Sequence, residues 1–115
     1  MIKKHVSDIK PEEVTIEGAQ GATIQWLITN QDGAQRYVMR RFEIKPNGII
    51  PLHAHPEEHE IYVLSGQATI LSETDEIIYV QAGDILYVPP FEKHGYKNED
   101  LHPFSFLCII PLLPK

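Results

Sequence analysis

Gly48-Ile49-Ile50-Pro51-Leu52-His53-Ala54-His55-Pro56-Glu57-Glu58-His59-Glu60 is the stretch whose reading decides the fold. His53 and His55 stand two apart, so on a strand they project to the same side, as two ligands of one ion must. Pro56 and the two glutamates supply a turn, and the chain returns as His59–Ser65. Residues that close a hairpin meet across it, which lets His59 face the same point. A His-x-His pair alone is a weak signal, since most histidines are solvated or satisfied core residues. The third imidazole at the return of the turn makes the stretch a metal-site geometry.

Outward from this hairpin, short runs rich in Val, Ile, Thr, Tyr and Phe recur between turn signals, the texture of strands. It predicts strands over Ala22–Thr29, Arg36–Ile44, Ile49–His55, His59–Ser65, Gln67–Ser72, Ile77–Gln81, Asp84–Val88, His94–Lys97 and Phe104–Ile110, and a short one at Val14–Glu17. Turns fall at Asn30–Gly33, Lys45–Gly48, Glu73–Glu76 and Ala82–Asp84. So many short strands in 115 residues imply one all-β domain, a sandwich or barrel. Alternation puts Val38, Arg40, Phe42 and Ile44 on one face, against Tyr37, Met39, Arg41 and Glu43. Phe104, Phe106, Cys108 and Ile110 likewise share a face. Parity alone does not say which face is the core. Trp26 and Tyr62 read as core or dimer contacts, and Leu112 and Leu113 as cover for a barrel end or a partner subunit.

Sixteen acidic residues against ten basic ones, a net charge of -6, leave no cationic track for nucleic acid. The cluster Arg36, Arg40 and Arg41 is too small for one. The single Cys108 cannot close an intrachain disulfide, which points to a reducing, cytoplasmic setting. MIKKHVSDIK lacks the apolar run of a signal peptide. No stretch approaches the ~20 apolar residues of a membrane span. The expected partners are a small-molecule ligand and a second copy of the chain.

A second segment, Gly83-Asp84-Ile85-Leu86-Tyr87-Val88-Pro89-Pro90-Phe91-Glu92-Lys93-His94-Gly95-Tyr96-Lys97-Asn98, ends a strand at Pro89 and opens the next at His94. Together the two segments resemble the paired motifs of the cupin superfamily. Motif one (48–66) reads glycine, His-x-His, three or four residues, a glutamate, six residues, glycine. Motif two (83–98) reads glycine, five residues, Pro-x-Gly, two residues, histidine, three residues, asparagine. His53, His55 and Gly66 match the first; Gly83, Pro89, His94 and Asn98 match the second. The resemblance implies a cupin-type jelly-roll barrel (a double-stranded β-helix) spanning residues 1–115, with one metal held by residues of both motifs.

Three departures carry expectations of their own. Gly48 lies one residue closer to His53 than the pattern has it. Phe91 replaces the motif-two glycine, so that turn is expected to differ in detail. His59 occupies the place of the family's glutamate, and parity sends Glu60 the other way, with Tyr62 and Leu64. The expected ligands are therefore His53, His55, His59 and His94. The chain then is similar to small cupins with an all-histidine centre, in which manganese is a typical occupant; iron, nickel, zinc and copper suit imidazole as well. Arg40, Phe106 and Cys108 are candidates for the substrate pocket. The reading that results is a metal-dependent oxidoreductase, a dioxygenase, acting on a small organic substrate. The alternatives are a metal-dependent isomerase or lyase, and a non-catalytic small-molecule sensor.

Overall fold

A computed structural model describes residues 1–74 and 76–114. Among these, the strands are β1 (Glu12–Glu13), β2 (Gln20–Ile28), β3 (Tyr37–His53), β4 (His59–Ser65), β5 (Gln67–Ser72), β6 (Ile78–Gln81), β7 (Ile85–Val88), β8 (His94–Lys97) and β9 (Phe104–Pro111). Two single-turn 3₁₀ helices, Val6–Asp8 and Asn30–Asp32, complete the secondary structure. The strands hydrogen-bond in the order β6-β5-β8-β3-β9-β4-β7, with β2 joining β3 and β1 joining β2. The sheet curls on itself, giving the expected all-β, single-domain architecture. Asp75, within the predicted Glu73–Glu76 turn, lies outside the described residues.

The largest difference from the sequence reading is at Lys45–Gly48. The two strands predicted on either side of it are one strand, β3, of 17 residues. The tetrapeptide bends the chain without reversing it, with Asn47 at φ 67. Gly48 is required there because a Cβ would lie 2.8 Å from Ile44 Cγ2 and 2.9 Å from the Lys45 carbonyl oxygen. Asn98 braces the corner: the Asn47 N–H donates to its carbonyl at 2.8 Å and its own N–H donates to Gly48 O at 3.0 Å. Its buried side-chain amide donates to Ile44 O and His102 O, both at 2.9 Å. Before the corner β3 pairs along its length with β2 and β9; beyond it, β8 becomes the main partner. One strand thus changes partner from β9 to β8 as the sheet curls.

The core is the inward parity of each strand. Val38, Phe42 and Ile44 of β3, Ile61 and Val63 of β4, and Phe104, Phe106 and Cys108 of β9 are buried. Phe42 stacks on Phe106 with centroids 5.0 Å apart. Each such side chain contributes roughly 1.5–3 kcal/mol of burial free energy. Val14–Glu17 is not a strand: the pairing with β2 falls upstream at Glu12–Glu13, while Val14 and Ile16 pack partly buried against the core. Trp26 and Tyr62 are 42% and 49% exposed, so neither is a core residue. β3 ends at His53, two residues earlier than predicted, and leaves His55 in the link to β4.

Candidate metal centre

His53 closes β3, His59 opens β4 and His94 opens β8, while His55 sits in the β3–β4 link. His53 and His94 are direct partners across the β3–β8 ladder. The four rings converge: centroids lie 4.4 Å apart for His53–His94, 4.3 Å for His55–His59, 5.1 Å for His55–His94 and 5.0 Å for His59–His94. His59 and His94 are buried. Glu60 is exposed with Tyr62 and Leu64, as strand parity predicts.

Three of the rings are braced alike. Nδ1–H of His53 donates to Pro51 O at 2.8 Å, that of His55 to Glu57 O at 2.9 Å, and that of His94 to Glu92 O at 2.8 Å. A carbonyl is only an acceptor, so each bond fixes the proton on Nδ1 and leaves the Nε2 lone pair free. His94 Nε2 is buried with no hydrogen-bond partner. The ligand atoms of His53, His55 and His94 all lie within 4.8 Å of one another. Convergent neutral imidazoles, each oriented by a carbonyl behind it, fit a divalent first-row transition metal. His59 is placed differently. Its Nε2 accepts from Arg40 Nη2 at 3.2 Å, and its buried Nδ1 has no partner.

Burial favours the neutral form of His53, His59 and His94. It pushes His94 down to about 4 and, reinforced by the Arg40 charge, His59 to about 2. His53 is lowered for the same reason. Burial also raises the Cys108 thiol and the Tyr96 phenol.

A cavity of about 50 Å³ adjoins the cluster, walled by Arg40, Phe42, Ile50, Tyr96 and Phe106 together with His53, His55 and His59. Arg40 and Phe106 therefore reach the site, and Cys108 meets it through Arg40, whose Nη2 donates to Cys108 Sγ at 3.1 Å. The neighbouring Arg41, on the opposite face of β3, instead pairs with Glu43 at 3.4 Å. Tyr96 was not singled out from sequence, yet it stands two residues beyond His94 on β8, and that parity was the available signal. Its buried hydroxyl has no partner.

The turn before His94 is a strained one. Phe91, which stands where the motif has glycine, takes φ 64, a left-handed conformation that favours glycine. That costs about 1–2 kcal/mol for a residue with a Cβ. The Phe91 N–H donates to His55 O at 2.9 Å, which ties the His94 turn to the His55 link.

This arrangement of motifs, sheet and imidazoles defines a cupin. The cupin domain family matches residues 40–110, and the chain belongs to that family. Among solved structures it is similar to the polyketide cyclase RemF from Streptomyces resistomycificus, at 37% identity and TM-score 0.91, covering 96% of this chain and 79% of that one. A predicted oxalate decarboxylase of Thermotoga maritima shares the fold at 23% identity and TM-score 0.84, covering 97% of this chain and 100% of that one. Glucose-6-phosphate isomerase of Thermococcus kodakarensis is 38% identical over 64 residues, 51% of this chain. That stretch spans 34% of the isomerase's own length.

Proposed function

We propose that this cupin is a metal-dependent enzyme that activates a carbonyl group of a small organic substrate. The observation that carries the reading is the set of three carbonyl-braced imidazoles whose Nε2 lone pairs meet beside an aromatic-walled cavity. His53, His55 and His94 hold the ion, and His59 is the fourth ligand once its Nε2 turns from Arg40. An ion bound there supplies Lewis acidity toward a carbonyl or enolate oxygen. The protein's own contributions are orientation, through the Pro51, Glu57 and Glu92 carbonyls, and exclusion of water by Phe42, Tyr96 and Phe106. The Tyr96 hydroxyl offers an unpaired donor to a substrate oxygen.

Lewis-acid chemistry is favoured over the dioxygenase reading by the likeness to a polyketide cyclase along nearly the whole chain. An isomerase stretch of 64 residues points the same way. Manganese rests on the family resemblance alone, and neutral imidazoles also suit zinc, iron, nickel and copper. Metal analysis of protein purified without a chelating tag, followed by turnover of poly-β-carbonyl substrates with and without oxygen, tests the reading. Stoichiometric metal with oxygen-independent conversion is expected; strict oxygen consumption would return the oxidoreductase.

We also infer a homodimer. Tyr37, Tyr62, Ile85 and Tyr87 are 64%, 49%, 76% and 58% exposed on the outer side of the sheet. They flank Leu107 and Ile109, an apolar face of the kind that marks association. Light scattering that gives a monomer mass would refute it. The cytoplasmic setting rests on the lone, buried Cys108; among the described residues, no helix is long and apolar enough to cross a membrane.

A further inference from the structure

We propose that Arg40 is the anion-recognition residue of this site, and that the substrate is an acidic carbonyl compound: a carboxylate or enolate carried on a flat apolar body. The inference rests on the metal-dependent reading above and names its substrate class. Arg40 Nη2 donates to a neutral imidazole and to a thiol, His59 Nε2 at 3.2 Å and Cys108 Sγ at 3.1 Å. Its Nε is buried without a partner. Among the described residues no carboxylate lies within ion-pairing distance of it. The guanidinium packs against the rings of Phe42, at 5.0 Å, and Trp26, at 5.7 Å. A sheltered cation ordinarily has an acid beside it, because desolvation is otherwise uncompensated. Arg41, one residue on, has Glu43. For Arg40 the missing partner is an anion.

The space around it sets the rest of the ligand. The inner cavity, about 50 Å³, admits a functional group and little more. Trp26, whose ring the guanidinium meets, also lines a groove of about 720 Å³ together with Val38, Ile110 and Leu112 and the charged Lys4, Lys10 and Glu57. Trp26 is the cross-strand partner of Arg40, and Val38 shares its face two residues away. Glu57, whose carbonyl braces His55, reaches the groove as well. A ligand body resting against Trp26 therefore has its anionic head at the guanidinium and beside the imidazole cluster.

Trp26 is the single tryptophan, and its fluorescence reports occupancy of the groove. Metal-loaded protein is titrated with benzoate and with its neutral isostere benzamide. Wild type is expected to prefer benzoate by about tenfold or more, the worth of one charge-assisted bidentate contact. Arg40→Gln loses that preference and Arg40→Lys keeps part of it. The same titration on protein stripped with EDTA retains a preference, because the guanidinium charge does not depend on the ion. Metal content is measured separately on each sample, so failure of the metal reading is seen independently. Equal affinity of wild type for the two probes, no saturable benzoate binding, or undiminished preference in Arg40→Gln each overturns the proposal. Should Arg40→Gln not fold, the wild-type comparison decides.

Discussion

Gly66 joins β4 to β5 at φ 76, and a Cβ placed there would run into the carbonyl oxygen of Pro103, with Phe104 Cα 3.0 Å away. Gly83 has the same backbone character, φ 93, but a Cβ there meets nothing within 4 Å. Alanine at either position loses about 1–2 kcal/mol to the left-handed conformation. At Gly66 the collision is with backbone at the start of β9, which no rotamer relieves, and forcing it adds about 1–3 kcal/mol. Gly66→Ala therefore costs about 2–5 kcal/mol in total, out of the roughly 5–15 kcal/mol that holds a domain folded. At roughly 4–8 °C per kcal/mol for a domain near this size, it melts about 10 °C or more below wild type. Gly83→Ala should fall clearly less. Thermal unfolding followed by circular dichroism, checked by urea midpoints, reads both variants side by side. If they melt within about 2 °C of each other, the close approach of β9 to Gly66 is wrong.

His59→Ala is expected to lose metal far more than Glu60→Ala, since Glu60 is exposed on the opposite face; equal losses in metal analysis would remove His59 from the ligand set. Asn98→Ala leaves the Ile44 and His102 carbonyls without their donor in a buried corner and should cost about 2–4 kcal/mol in urea unfolding, a figure near zero refuting the brace. Metal-free protein should weaken on acidification. His94 and His59 stay neutral in the fold to about 4 and about 2, while the unfolded rings take up protons below ~6.5. Stability is thus full above ~6.5 and falls as the pH drops toward 4, by about 2–4 kcal/mol at pH 5 if both rings respond. A urea midpoint that stays constant between pH 7 and 5 would contradict it.

Spacing and parity make much of this protein legible in the sequence alone. Because side chains alternate with period two, the sequence determined that His59 shares a face with Ile61 and Val63 while Glu60 takes the other; the fold decided that the first of these faces is the buried one. Parity likewise put Arg40 with Val38, Phe42 and Ile44, and Phe106 with Cys108. Turn chemistry located most strands, because glycine, proline and asparagine interrupt pairing through local backbone preferences. Only the tertiary structure decided what depends on neighbours distant in the chain. Lys45–Gly48 carries turn residues, yet Asn98, just past the end of β8, holds it as a corner within β3. Phe91 takes a glycine's conformation under the same kind of constraint, through the His55 carbonyl. Which imidazole nitrogen is free follows from carbonyls aimed by the fold. The company of Arg40, a thiol 68 residues away and, among the described residues, no acid, follows from how the sheet curls. Local sequence sets which way a side chain points; the closure of the barrel sets what it meets there.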